Sequence, residues 1–284
     1  MFAANPRGWA PLAGDAAQDA ALREHAEQAG IPVFVHAPYL INLGSPDQRV
    51  RDLSAASLRH AIGRGTRIGA RGVVVHTGSA VGGDRAAALR RVREILLPLL
   101  DEIGGHEPGL LLEPMAGQRH MLCSAVADIG PYLDALDRHP RACICLDTCH
   151  LFAAGHDLTA PDGVPRMLAE LDSVAGPGRL RLIHANDSKD GCGSGKDRHV
   201  NIGAGLIGSA PFGRLLGHPA TAGVPFIVET PGGKGGHAAD IAALRGLRDG
   251  GCGTGGCGNR GRAAETGRAR RRGQSGGPSP GRSW

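Results

Sequence analysis

Short apolar runs rich in valine, isoleucine and leucine recur along the chain, separated by longer amphipathic segments. Six such runs stand out: IPVFVH (31–36), RGVVVH (71–76), GLLLEP (109–114), CICLD (143–147), RLRLIH (179–184) and PFIVE (225–229). Each is too short for a helix and is typical of a strand that is buried on both faces of a sheet.

The segments between these runs have helical periodicity. Residues 84–103 and 121–138 are examples, and residues 16–30 predict a helix ahead of the first run. Strands that alternate with helices predict right-handed βαβ units and a parallel sheet. Successive runs end 34 to 45 residues apart, one β/α unit each, which favours an α/β fold of the TIM-type (β/α)8 barrel class.

The barrel and the end of the chain differ in composition. Six complete strands are fewer than the eight of such a barrel, and residues 1–4 are expected to be the remnant of another strand. After residue 250 the chain turns to Gly, Arg, Ser and Pro without an apolar period. We therefore expect an incomplete barrel domain at 1–250 and a disordered basic tail at 251–284.

The net charge of +5 does not by itself indicate a nucleic-acid partner. Residues 251–284 contain seven arginines and one glutamate, a net +6, so residues 1–250 carry about −1. Seven scattered cysteines do not form a secreted disulfide framework, and nowhere do eighteen apolar residues run together. A soluble, cytoplasmic protein without membrane contact is expected.

Ionisable residues stand at the end of every apolar run. In order they are His36, His76, Glu113, Asp147, His184 and Glu229. The carboxyl ends of parallel barrel strands share one face, where active sites are built. Three further candidates follow in the adjoining loops: His150, Asp197 and His199. The total is nine groups at one mouth, five imidazoles and four carboxylates.

Nine ionisable groups in one place predict bound cations. For a single residue of this kind, a hydrogen-bonded core or surface position is the ordinary interpretation. Nine together would repel one another and resist desolvation unless cations neutralise them. Imidazole and carboxylate without thiolate suit Zn²⁺, with Mn²⁺ or Fe²⁺ as alternatives. At three or four ligands per ion, with some sharing, they would hold two or three metals.

Two other patterns are interpreted differently. Cys143 and Cys145 alternate with apolar residues on their strand, so packing is expected, and neither Cys149 nor the tail pair Cys252 and Cys257 has matching partners for a zinc site. GAGLIG (203–208) fits the dinucleotide pattern, which requires a strand directly before it. Polar residues precede it here, so we predict a helix start, beside phosphate, instead.

Taken together, the motifs resemble the endonuclease IV family of apurinic/apyrimidinic DNA-repair nucleases over about residues 3–248. The motifs are NPRGW (5–9), HAPYLINLGSP (36–46), VVVHTGS (73–79), LLEPMAGQ (111–118), CLDTCHLFAAGHDL (145–158), HANDSK (184–189), DRHVNIGAGLIG (197–208) and FIVETPG (226–232). Related sugar isomerases and epimerases share the barrel and metal chemistry, but not this series.

The resemblance implies a TIM barrel with three zinc ions, Mn²⁺ being an alternative. Their implied ligands are, by ion: His36, His76 and Glu113; Glu113 as a bridge with Asp147, His184 and Glu229; and His150, Asp197 and His199. Such a centre would act on double-stranded DNA as a monomer, with Glu113, Asp147 and Glu229 counted as catalytic. It would cleave 5′ to an abasic site and leave a 3′-hydroxyl and a 5′-deoxyribose phosphate.

By the same resemblance, Arg7, Tyr39 and Leu40 are expected to enter the base stack at the lesion. From the residues alone, Tyr39 fits a core aromatic equally well. The family's first strand and helix are absent, so we expect either an upstream start or a poorly folding chain. Two alternatives remain open: a two-metal isomerase or epimerase, which gives the group around His150 no role, and a lesion-binding protein without turnover.

Overall fold

Six strands form one parallel sheet, and two short strands form a separate antiparallel pair. The structure, a computed structural model, describes residues 1–105, 108–233 and 236–251. In chain order the strands are β1 Phe34–His36, β2 Gly72–His76, β3 Gly109–Glu113, β4 Ala142–Asp147, β5 Leu180–His184, β6 Asp187–Ser188, β7 His199–Val200 and β8 Phe226–Ile227. The sheet order is β1-β2-β3-β4-β5-β8, which confirms all six predicted strands.

The described residues also form eight α-helices, the first of which precedes β1. They are α1 Ala16–Gln28, α2 Gln48–Arg67, α3 Arg85–Glu102, α4 Ile129–Ala135, α5 Thr148–Ala154, α6 Gly163–Ala175, α7 Ser209–Gly217 and α8 Ala238–Gly251. Aspartate side chains cap the first three, because Asp15, Asp47 and Asp84 accept amide hydrogens of the first turn. None of the helices in this part of the chain is long and apolar enough to cross a membrane.

The helix predicted at 121–138 is much shorter than expected. It consists of a 3₁₀ turn, Val126–Asp128, followed directly by α4. The preceding residues bond to neighbouring loops instead: the Leu122 amide donates to the carbonyl of Gly78 at 2.9 Å, and the Cys123 carbonyl accepts from Met115 at 2.9 Å. These tertiary bonds replace the helical ones, and helical periodicity alone does not reveal them.

The side chains on the inner face of the sheet include those at the carboxyl ends of the strands, where the candidate site lies. Phe34, Val74, Leu111, Cys145 and Leu182 form one buried cluster, and Cys143 packs against it, as predicted for both cysteines. Alternate residues of a strand share a face. The residues two positions further on therefore share this face, just above the cluster. They are His36, His76, Glu113, Asp147 and His184.

The sheet is a curled half-barrel in the described residues. Phe2 forms a parallel bridge with His36, and the Met1 carbonyl accepts from the His36 amide at 2.8 Å, so the expected strand remnant does extend the sheet. β8 pairs with β5 through two residues. Except for Gly251 at the end of α8, the proposed tail and its cysteines lie outside the described residues, and the boundary at residue 250 stays a prediction.

Candidate metal centre

Glu113 lies fully buried at the middle of the mouth, and imidazoles surround it. Its Oε2 is 3.2 Å from Nε2 of His36 and 3.6 Å from Nε2 of His76. Its Oε1 is 3.0 Å from Nδ1 of His184 and 3.6 Å from Nδ1 of His150. The two oxygens of one carboxylate therefore face different imidazoles: Oε2 faces those of His36 and His76, and the close neighbour of Oε1 is that of His184. This is the arrangement that a carboxylate shared between two cations requires.

Two more carboxylates lie next to this centre. Glu229 Oε2 is 3.2 Å from the same Nδ1 of His184. Asp147 caps α5, where its Oδ1 accepts the amides of Cys149 at 2.7 Å and His150 at 3.0 Å. Its Oδ2 lies 3.6 Å from Nε2 of His199. The cap thus fixes one oxygen of Asp147 and leaves the other directed at the cluster.

A third group forms beside the first two. Asp197 Oδ2 is 3.2 Å from Nε2 of His150, and its Oδ1 is 2.9 Å from Nε2 of His199. The second contact lacks hydrogen-bond geometry, so this buried Nε2 has no hydrogen-bond partner among the described residues. The ligand atoms of His150, Asp197 and His199 all lie within 4.8 Å of one another, as do those of His36, His76 and Glu113.

The outer nitrogens of three imidazoles bond to backbone carbonyls. Nδ1 of His36 lies 2.7 Å from the carbonyl of Ala37, and Nδ1 of His150 lies 3.0 Å from that of Pro114. Nδ1 of His199 lies 3.3 Å from the carbonyl of Glu229. A ring that donates from Nδ1 presents the lone pair of Nε2 to the cluster, as metal-binding histidines do. The residues present therefore fit divalent cations.

Charge in the third group is strongly coupled. Burial alone would lower the pKa of His150, but Asp147, Asp197 and Glu113 outweigh it and raise the pKa to about 10. At His199 burial also lowers the pKa, but Asp147 and Asp197 outweigh it and raise the pKa to about 9. At His76 burial dominates and lowers the pKa to about 4. The carboxylates thus demand positive charge, which protons or metal ions can supply.

The structure brings all nine sequence-predicted ligands together; which residue serves which ion stays a prediction. Two thiols that we assigned to packing or set aside also lie here. Cys145 Sγ is within ligand range of Glu113 and His184, and Cys149 Sγ of Asp147 and His199. Burial raises the pKa of both thiols to about 12, so both are protonated while no metal ion is bound.

Comparison with known proteins places the chain in a family. A family model described as a xylose isomerase-like TIM barrel matches residues 1–247. A probable endonuclease 4 of Streptomyces coelicolor is 60% identical over 252 residues, 88% of this chain and 86% of that protein. The chain belongs to the endonuclease IV family. A probable endonuclease 4 of Nitratidesulfovibrio vulgaris is 39% identical over 87% of this chain and 88% of that one.

Solved structures agree with the endonuclease IV assignment and confirm the barrel fold. Endonuclease IV from Thermus thermophilus has a TM-score of 0.76 at 31% identity and covers 88% of each chain. A D-tagatose 3-epimerase-like protein has a TM-score of 0.60 at 19% identity, covering 83% of this chain and 82% of that one. This second likeness shows a shared fold and nothing more.

The three residues predicted to contact DNA lie in two adjoining loops of this endonuclease IV chain. Tyr39 and Leu40 are 45% and 38% exposed, so the interpretation of Tyr39 as a core aromatic is wrong. The Tyr39 ring stacks on His76 with centroids 5.5 Å apart, and its amide donates to the Pro6 carbonyl at 2.9 Å. Arg7 is exposed on the neighbouring loop. Tyr39 therefore borders the candidate metal centre directly.

The glycine-rich segment at 203–208 was interpreted partly wrongly. A helix does begin directly after it, at Ser209. The phosphate expected there is replaced by a protein carboxylate, because Asp187 accepts the amide hydrogens of Gly203 at 2.9 Å and Ile207 at 3.0 Å. No short-range sequence signal points to Asp187 as the partner, since it precedes the segment by a polar loop.

Proposed function

We propose that this chain is a zinc-dependent endonuclease of DNA repair that hydrolyses the phosphodiester 5′ to an abasic site. The observation that carries the proposal is the buried Glu113 carboxylate, whose Oε2 faces His36 and His76 and whose Oε1 faces His184. The 60% identity to a probable endonuclease 4 supports the same conclusion independently. The expected products carry a 3′-hydroxyl and a 5′-deoxyribose phosphate.

The chain's own residues would hold the ions in three adjoining groups. His36, His76 and Glu113 would hold the first, and His150, Asp197 and His199 the third. Between them Glu113 would be shared with a second group, formed by Asp147, His184 and Glu229. Bound divalent ions would supply Lewis acidity at the phosphate oxygens and acidify a bound water, so no side chain has to act as a general base.

Substrate selection would lie with the exposed residues at the rim. Tyr39 presents a planar ring beside His76, and Leu40 an apolar side chain next to it. Planar and apolar groups can fill the gap in a duplex where a base is missing, and opening the stack costs least at such a site. Arg7, exposed on the adjacent loop, would enter the base stack beside them.

The competing enzyme class explains less of the site. A two-metal isomerase or epimerase leaves His150, Asp197 and His199 without a role, although their ligand atoms lie within 4.8 Å of one another. The structural likeness to an epimerase-like protein is a likeness of fold. A lesion-binding protein without turnover would keep the rim residues, and the experiment below separates it from a nuclease.

The test is incision of a duplex that carries a single abasic site, with and without chelator. We expect single-strand incision 5′ to the site, loss of incision on chelation, and recovery when Zn²⁺ is returned. The 3′ end should be extendable by a polymerase, and elemental analysis should find close to three ions per chain. Lesion binding without incision would favour the non-catalytic alternative, whereas neither binding nor incision would contradict both.

A further inference from the structure

A fully buried aspartate organises the glycine-rich loop beside the third ligand group. Asp187 is 0% exposed, and no ion pair to it is found in the described part of the chain. Its two oxygens accept amide hydrogens from four loop residues: Gly203 (2.9 Å), Gly205 (3.0 Å), Ile207 (3.0 Å) and Gly208 (3.3 Å). Amide dipoles, not a cation, therefore compensate for the burial of this charge.

The close approach of the Asp187 carboxylate explains why the loop contains glycines. A side chain at Gly205 would collide with Asp187 Oδ1 and with the carbonyl of Ser188. Gly203 and Gly208 have φ values of 81° and 71°, which favour glycine. The segment has the amide arrangement of a phosphate-binding loop, but the anion is part of the same chain. The amides that donate to Asp187 are therefore not free to bind a phosphate of the substrate.

The same aspartate lies in the hairpin that carries two candidate ligands. β6 and β7 pair antiparallel, with Asp187 opposite Val200 and Ser188 opposite His199. The Lys189 amide donates to the Arg198 carbonyl at 2.9 Å and extends the pairing. Asp197 and His199 thus lie outside the main sheet, and the hairpin is what carries them to His150 on α5.

We propose that Asp187 is a positioning residue for the third ligand group, His150, Asp197 and His199. By bonding the loop after β7 to the strand before it, the carboxylate fixes the hairpin on both sides. Because the hairpin is held in one conformation, the imidazole of His199 and the carboxylate of Asp197 face His150 before an ion binds. The inference rests on the proposed function, in that this group is taken to hold an ion.

The test is the variant Asp187→Asn, assayed for metal affinity rather than for activity alone. Asparagine has the same shape as aspartate, but its NH₂ group replaces one of the two oxygens. Backbone N–H groups that donate to that oxygen in the wild type would then face another donor. We expect one of three bound ions to be held about 10- to 100-fold more weakly in equilibrium chelator competition, the range for residues that support metal ligands. The other two ions should keep their wild-type affinities.

A second variant and a matched control make the result specific. Gly205→Ala displaces the loop from Asp187 without altering the carboxylate, so it should weaken the same ion even if Asp187→Asn is insoluble. Asp128→Asn changes another carboxylate that accepts two amides, those of Ser124 and Ala125 at 3.0 Å, and should leave all three ions unaffected.

The possible outcomes separate this inference from the proposed function. Three ions held at wild-type affinity in both loop variants would overturn the role of Asp187. So would an equal weakening of all three ions, because that indicates general loss of structure. A wild-type protein that holds three ions but does not incise abasic DNA would contradict the nuclease and leave Asp187 unaffected. A wild type that never binds a third ion would contradict both.

Discussion

Replacing Glu113 by glutamine tests whether one carboxylate serves two cations. Gln has the shape of Glu, but one of its two terminal atoms is an NH₂ group, which cannot bind a cation. Oε2 faces His36 and His76, whereas Oε1 faces His184. Whichever way the amide is turned, the NH₂ group replaces a ligand atom on one side of the centre.

The size of the effect follows from what a metal ion contributes. Lewis-acid stabilisation by a bound ion amounts to several kcal/mol of the activation barrier. A loss of about 4 kcal/mol lowers the rate about 10³-fold, since each 1.36 kcal/mol corresponds to a factor of ten. Because Glu113 is fully buried, no solvent-exposed group can replace the missing oxygen. We expect at least one ion to be lost as well.

Single-turnover incision of an abasic-site duplex, together with elemental analysis, measures both effects on the same preparation. Glu94→Gln is the control, because it makes the same chemical change on the exposed face of α3. A circular dichroism spectrum that matches that of the wild type would show that the variant is folded. Incision within about threefold of wild type, with a full complement of ions, would refute the shared-carboxylate reasoning.

Three further changes have distinct expected results. Tyr39→Ala should weaken binding of abasic duplex about 10-fold, within the range of aromatic stacking on a base, with metal content unchanged in a titration. Asp240→Asn should cost about 1–3 kcal/mol of unfolding free energy at pH 7. Burial opposes ionisation of Asp240, but bonds from Thr230, Asn201 and Ile202 hold its pKa below the usual range, so in denaturation the difference should be full at pH 7 and should shrink as the pH falls below about 4 through the lower pKa of the folded wild type. Deleting residues 252–284 should leave incision kinetics at low salt unchanged, because all nine candidate ligands precede residue 230.

The strands were predictable because of how they are buried. A parallel strand covered on both faces must be apolar along its length, so β2 and β3 are visible as VVV and LLL followed by a polar residue. The helix predicted at 121–138 failed for the opposite reason. Its first residues have helical periodicity, but loop contacts such as Leu122 to Gly78 determine their conformation. Long-range bonds of this kind leave no periodic signal in the sequence.

The candidate ligands were predictable from topology, whereas the residues that orient them were not. A strand end fixes the location of His76 or Glu113 before any contact is known. Asn186 shows the limit, because it is fully buried and its Nδ2 donates to Asp147 Oδ2 at 2.6 Å. Its Oδ1 accepts from the amide of Glu229 at 2.8 Å. These partners lie about forty residues away along the chain in both directions, beyond any local motif.

Three buried carboxylates at this end of the barrel differ in what neutralises them. Asp187 is surrounded by backbone amides and needs no cation. Asp147 has amides on one oxygen only, while its other oxygen faces Asn186 and His199. Glu113 faces the imidazoles of His36, His76 and His184, with the Cys145 thiol also in ligand range. Imidazole supplies positive charge only when it takes up a proton, so the carboxylates without a full set of amides depend most on a proton or a metal ion, and burial by itself does not separate a structural carboxylate from a metal ligand.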